Sequence, residues 1–74
     1  MTIITAIELA GAYPEEILIT SSMNTEKKHG ALCYRIKDGD IHRLMLSSDY
    51  VFESAEIAEE WMHDIAKDIK QKYS

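Results

Sequence analysis

The chain has 74 residues, of which 46% are hydrophobic and 28% charged, and its formal net charge at pH 7 is −5. A chain of this size has room for one core near the lower limit of independent stability, so we expect residues 1–74 to form one small domain. The acidic balance argues against nucleic-acid binding, which needs a basic surface, and the small size argues against a deep substrate cavity.

The use of cysteine and the N-terminal sequence indicate the compartment. Cys33 is the single cysteine, so the fold cannot depend on an internal disulfide. The N-terminal sequence has no basic segment followed by an apolar run, and no window approaches 18 apolar residues, which argues against secretion and against membrane insertion. We therefore expect a cytoplasmic protein that does not bind membranes.

The N-terminal segment permits two interpretations. Residues 2–9 are rich in β-branched side chains, which favours a strand. Alternatively, Thr5 and Glu8 have the spacing of a capping box for a short helix ending near Gly11. We favour the strand, because six residues before a glycine make a poor helix, and we expect a turn at Pro14.

Three β-rich runs follow, at residues 17–23, 31–37 and 40–46. Asp38-Gly39 between the last two is a strong hairpin signal, because a type I′ turn needs positive φ at both central positions. In a regular hairpin, each residue before the turn pairs with the residue at the same distance after it. The predicted pairs are Lys37–Asp40, Ile36–Ile41, Arg35–His42, Tyr34–Arg43, Cys33–Leu44 and Leu32–Met45.

Alternation along this hairpin sorts its side chains onto two faces. We expect a helix to cover the more apolar face, which carries Leu32, Tyr34, Ile36, Ile41 and Met45, interrupted by Arg43. The other face carries Ala31, Cys33, Leu44 and Leu46 at one end, and Arg35, Lys37, Asp40 and His42 at the turn end. One helix cannot cover both faces, so this second face is predicted to stay open.

The covering helix is predicted at residues 54–73, where apolar side chains recur every three or four residues for about five turns. Ser54 is the expected N-cap. The predicted fold is therefore α+β: an antiparallel sheet of three to four strands with one long C-terminal amphipathic helix packed on one face. The expected core comprises Leu32, Tyr34, Ile36, Ile41 and Met45 of the sheet, with Ile57, Trp61, Ile65 and Ile69 of the helix.

Catalytic and cofactor motifs are not evident, so we expect neither an enzyme nor a bound cofactor or metal. Cys33 and His42 lie diagonally on one predicted face, and Arg35 or His42 could lower the pKa of the thiol, which leaves thiol chemistry as a minor alternative. The usual state of a free cysteine is a small buried hydrophobe. His29, His42 and His63 fall on different elements without metal-ligand spacing.

Protein interaction is the function we expect, with a homodimer formed through the predicted open face. The expected interface residues are Cys33, Leu44, Leu46, Arg35 and His42. An acidic helix face offers a second surface for a basic protein partner. Its members are Glu56, Glu59, Glu60 and Asp64.

The run Phe52–Trp61, which follows a predicted strand, resembles the strand-to-helix junction of small phage and mobile-element proteins, including some anti-CRISPR inhibitors. The similarity covers about a dozen residues of generic pattern and assigns no role to any of them. It implies an alternative function, an inhibitor or regulator that presents the acidic helix to a basic host protein surface.

Overall fold

The computed structural model describes residues 2–73, which form an antiparallel sheet in the order β1-β2-β3 with two helices. The elements are α1 (Ile3–Gly11), a 3-10 turn (Pro14–Glu16), β1 (Ile17–Met23), β2 (His29–Lys37), β3 (Asp40–Ser47) and α2 (Ala55–Tyr73). The buried residues of both helices belong to one cluster with those of β2 and β3, so both helices lie on the same face of the sheet. The predicted α+β fold is confirmed.

The N-terminal segment is a helix, so the strand predicted at residues 2–9 is wrong. The alternative gave the element type and its end at Gly11 correctly, but the cap is Thr2, whose Oγ1 accepts a hydrogen bond of 3.2 Å from the Thr5 amide. Leu9 is fully buried. Burial of one helical stripe against the core outweighs the β propensity of the isoleucines.

The C-terminal helix agrees with the predicted one. Ser54 is its N-cap, because the Ser54 Oγ accepts a hydrogen bond of 3.2 Å from the Ile57 amide and the Ser54 carbonyl accepts one from the Ala58 amide. A serine in this position satisfies amides that the first turn leaves without partners. Lys70 and Lys72 in the last turn suit the helix dipole.

The β2–β3 hairpin turns at Asp38-Gly39 as predicted, with φ of 54° and 83° at the two positions. The first two pairs, Lys37–Asp40 and Ile36–Ile41, are also as predicted. Bulges then insert extra residues into β3, and the four remaining predicted pairs are wrong. The observed pairs are Arg35–Arg43, Tyr34–Leu44, Cys33–Leu46 and Leu32–Ser47.

The helices cover the opposite face of the sheet from the one predicted, and of the residues predicted on the covered face only Met45, at a bulge of β3, is buried. Ala31 and Cys33 are 0% exposed and belong to the core, whereas Leu32, Tyr34 and Ile36, which alternate with them along β2, are only partly buried. Small side chains on the central strand let a helix approach closely, and α2 meets them with Ala58, Ala66 and other residues of its own buried stripe. Close packing of small residues therefore outweighs the burial of the largest apolar set.

The buried stripe of α2 is also rotated from the predicted one. Ala58, Met62, Ala66 and Ile69 are its buried residues. Of the four core residues predicted on this helix, Ile69 is buried and Ile65 packs partly buried against the core, but Ile57 is 50% exposed and Trp61 38% exposed. The core is completed by the following residues of α1 and the sheet: Ala6, Leu9, Ala31, Cys33 and Met45.

Candidate interaction surface

One face of the sheet carries neither helix, and we call it the open sheet face. Its residues follow from alternation and pairing, since paired residues in adjacent strands share a face. Leu18 pairs with Tyr34, Tyr34 with Leu44, and Ile36 with Ile41. The apolar residues of the open sheet face are Leu18, Leu32, Tyr34, Ile36, Ile41 and Leu44.

The open sheet face is apolar and accessible. Leu18, Leu44 and Ile41 are 39%, 45% and 58% exposed, respectively. Thr20 and Ser47, the partners of Leu32 in the flanking strands, add neutral polar groups without charge. A contiguous exposed surface of this composition is typical of an interaction site.

Tyr50 extends this face at one corner. Its hydroxyl shares a hydrogen bond of 2.9 Å with the hydroxyl of Ser22. A Cβ at Gly30 would lie 3.2 Å from Tyr50 Cδ1, so the missing side chain of Gly30 is what lets the aromatic ring lie against the strand. The loop after β3 thereby adds an aromatic ring to the surface.

The predicted interface residues are divided between the two faces of the sheet. Leu44 lies on the open sheet face, opposite Tyr34. Cys33 is fully buried and Leu46 packs against the core, so placing these two on the open face is wrong. Arg35 shares the helix-covered side and pairs with Glu16 at 3.1 Å, and His42 is an exposed residue of β3.

The bulges in β3 explain this division. A regular hairpin would put Leu44 opposite Cys33, whereas the inserted residues place Leu44 opposite Tyr34 and Leu46 opposite Cys33. Such a shift moves a side chain to the other face. The alternation of Leu32 and Tyr34 with the smaller Ala31 and Cys33 was the signal that the larger side chains lie on the open face. The register of a regular hairpin does not contain that information.

The thiol of Cys33 lies in a setting suited to packing. It is fully buried, and burial raises its pKa above the ordinary value, which disfavours the thiolate that acts as a nucleophile. The diagonal placement predicted for Cys33 and His42 is wrong, because Cys33 pairs with Leu46 rather than with Leu44. Among residues 2–73, no group of three or more His, Cys, Asp or Glu side chains is arranged to hold a metal ion.

The acidic helix face surrounds a second exposed apolar patch. The rings of Phe52 and Trp61 pack at a tilt of 45° with their centroids 5.5 Å apart. A shallow cleft of about 260 Å³ is lined by these rings, Ile57, Glu60 and Asp64. Glu56, Glu60 and Asp64 are exposed. Glu59 is instead partly buried and accepts a hydrogen bond of 3.1 Å from Ser21 Oγ, so it joins α2 to β1.

Comparison with protein-family models, with curated proteins and with solved structures finds no match to this chain. Within the described part of the chain, neither helix combines the length and apolarity needed to cross a membrane.

Proposed function

We propose that this chain is a non-enzymatic protein-interaction module that self-associates through the open sheet face. The observation that carries the proposal is the uncovered apolar surface of Leu18, Leu32, Tyr34 and Leu44, with neither helix upon it. Full burial of an exposed large apolar side chain is worth roughly 1.5–3 kcal/mol before entropy is subtracted, and these side chains, which are already partly buried, gain a fraction of that each. A domain this small gains much of its stability from association of that kind.

The distribution of charge favours a second copy as the occupant. The chain carries a net charge of −5, so two copies repel each other, and they do so least when the surfaces that meet carry no carboxylates. The apolar residues of the open sheet face are uncharged, whereas Glu56, Glu60 and Asp64 lie on α2, in the other layer. A two-fold dimer through the open sheet faces keeps these carboxylates on its two outer sides.

The geometry of such a dimer is a four-layer arrangement, helix-sheet-sheet-helix. Two sheets pack face to face about 10 Å apart with interdigitating side chains. Tyr34 would occupy the centre of the contact, since it lies on the middle strand between Leu18 of β1 and Leu44 of β3. Aromatic side chains at the centre of an interface contribute disproportionately to affinity.

The experiment is the solution mass, measured by light scattering on a size-exclusion column over a range of concentrations. We expect the parent to reach twice the chain mass of 8.5 kDa, and Leu44→Asp to remain at the chain mass because a carboxylate cannot be buried in an apolar interface. Ile57→Asp is the matched control, because Ile57 is 50% exposed against 45% for Leu44 but lies on α2. Circular dichroism verifies that both variants fold.

A parent that stays monomeric at every concentration contradicts this proposal. So does a dimer that Ile57→Asp dissociates and Leu44→Asp leaves intact. A cytoplasmic setting is part of the proposal, because the single cysteine forms no internal disulfide and folding requires no oxidising compartment.

The second candidate function is that of a phage-type or mobile-element-type inhibitor that presents the acidic helix to a basic host protein. Its supporting observation is the exposed Ile57–Trp61 patch beside Glu60 and Asp64. Such a contact combines an apolar anchor with charge steering. A basic amphipathic helical peptide is a suitable probe, with Trp61 fluorescence as the readout. Binding that weakens steeply with salt and is lost in Asp64→Lys supports this function, and salt-independent binding contradicts it.

A further inference from the structure

A groove of about 570 Å³ lies between β1, the C-terminal half of α2 and the end of α1, and we call it the β1–α2 groove. Its apolar wall is formed by Ala10, Pro14, Ile17, Ile19 and Ala66, and its polar rim by His63, Lys67, Lys70 and Gln71. The groove is on the helix layer and is separate from the open sheet face. Its volume is in the range of small-molecule sites.

The polar rim is basic, although the protein is acidic. Lys67 and Lys70 line the groove and no carboxylate does, while the whole chain has 13 Asp and Glu against 8 Lys and Arg. Within residues 2–73, neither lysine forms an ion pair. Two ammonium groups beside an apolar wall form an electrostatically favourable place for an anion.

A hydrogen bond to a backbone carbonyl holds the Lys70 side chain at the groove. Its Nζ donates a hydrogen bond of 2.9 Å to the carbonyl oxygen of Ala12, and Lys70 is only partly exposed. A lysine ammonium has three N–H donors, so two remain for a ligand. Holding the charge in place before binding reduces the entropy that a ligand must overcome.

Two cross-element contacts limit the length of the groove. Beyond Ile19, the hydrogen bond from Ser21 Oγ to Glu59 joins β1 to α2. At the other end, Lys70 and Ala12 join α2 to the segment after α1. The part of α2 between His63 and Lys70 is about 10 Å long at the helical rise, which suits one short hydrocarbon chain.

We propose that the β1–α2 groove binds a free medium-chain carboxylate, a fatty acid of about ten carbons. The hydrocarbon tail packs on Ile17, Ile19 and Ala66, and the carboxylate accepts hydrogen bonds from Lys67 and Lys70. Charge-assisted hydrogen bonds supply orientation, and burial of methylene groups supplies most of the affinity. The combination of a basic rim and an apolar wall selects an amphipathic anion.

Isothermal titration of the parent with decanoate tests this proposal. We expect saturable binding with one ligand per chain, and affinity that rises about fourfold for each methylene along the series hexanoate, octanoate and decanoate. Decyltrimethylammonium, which has the same tail and the opposite charge, should bind far more weakly. Absence of saturable binding by millimolar decanoate, or equal binding of the cationic amphiphile, overturns the proposal.

Two variants locate the binding in the groove. Lys67→Glu should weaken decanoate binding roughly fivefold or more, whereas Lys37→Glu, an identical charge change in the exposed part of β2, should leave it unchanged. Ala10→Phe fills the groove and should abolish binding, with thermal melting as the check of folding. Equal losses in Lys67→Glu and Lys37→Glu contradict the assignment. Leu44→Asp should bind decanoate like the parent, so failure of the dimer proposal and failure of this one are distinguishable.

Discussion

Arg43 Nη2 donates a hydrogen bond of 2.7 Å to Glu8 Oε2, and this ion pair joins α1 to β3. The two residues are 35 positions apart, so the contact exists only in the folded chain. The hydrogen bond from Arg43 is the main reason why the pKa of Glu8 lies below its ordinary value of 4.5. A lowered folded pKa couples folding to the ionisation of this carboxyl group.

Glu8→Gln should therefore destabilise the protein at neutral pH and have little effect in acid. The ionised carboxylate stabilises the folded state above the ordinary pKa of 4.5, and this contribution is lost as the pH falls through the lower folded pKa. Both side chains are about one third exposed, so solvent screening limits the difference to roughly 0.5 kcal/mol. Urea unfolding at pH 7 and pH 3 measures it. Glu15→Gln, an exposed carboxylate in the 3-10 turn, is the control, and an equal effect of both variants would refute the assignment.

The burial of Cys33 predicts that its thiol reacts slowly. In the native protein we expect a disulfide reagent to react with Cys33 orders of magnitude more slowly than in the denatured protein, because the thiol is fully buried and burial raises its pKa. The rate is measured from the absorbance of the chromophore that the reagent releases. Native and denatured rates that agree within a few fold would restore Cys33 as a candidate reactive group.

The contact of Tyr50 with Gly30 can be tested with a double-mutant cycle. An alanine Cβ at residue 30 would lie 3.2 Å from the Tyr50 ring, so Gly30→Ala should be less favourable in the parent than in Tyr50→Ala by about 0.5–1 kcal/mol. In the Tyr50→Ala background, where the ring is absent, Gly30→Ala should stabilise the strand, since alanine loses less backbone entropy than glycine on folding. Chemical denaturation of the four proteins gives the coupling, and additive effects would show that the ring does not rest on Gly30.

Substitution by alanine at the two other glycines should change the stability in opposite directions. Gly39 has a φ of 83° in the hairpin turn, so Gly39→Ala should destabilise by about 1–2 kcal/mol. Gly11 ends α1 and a Cβ there meets nothing within 4 Å, so Gly11→Ala should stabilise by about 0.5–1 kcal/mol. Thermal unfolding of both variants measures these changes. Destabilisation by both would mean that α1 does not continue through Gly11.

Apart from α1, the sequence predicts the local elements well and their packing poorly. The spacing of apolar residues in α2, its Ser54 cap and the Asp38-Gly39 turn depend on neighbouring residues, and all three are as predicted. Which face of the sheet the helices cover depends on contacts between distant residues. Alanines of α2 fit against Ala31 and Cys33, so volume complementarity decides the matter, and a count of large apolar residues points to the wrong face.

The candidate surfaces follow the same division. The open face was predicted on the basis of a single helix, whereas the structure has two helices that both lie on the other face. Assigning Leu44 and Leu46 to their faces requires the bulges of β3, which no turn signal reveals. The β1–α2 groove could not be predicted, because it brings together α1, β1 and α2. The nature of α1 was itself obscured by its isoleucines, whose β propensity is overruled by the core.

The two edges of the sheet differ in regularity, and this limits how copies can polymerise. β1 pairs with β2 over seven consecutive residues without a bulge, whereas β3 is bulged twice. A fibre that grows by adding strands requires the β1 edge of one copy to match the β3 edge of the next, and bulges disrupt that match. Pairing between two β1 edges is two-fold and ends at two copies. The bulges of β3 therefore disfavour growth of a continuous sheet through this edge.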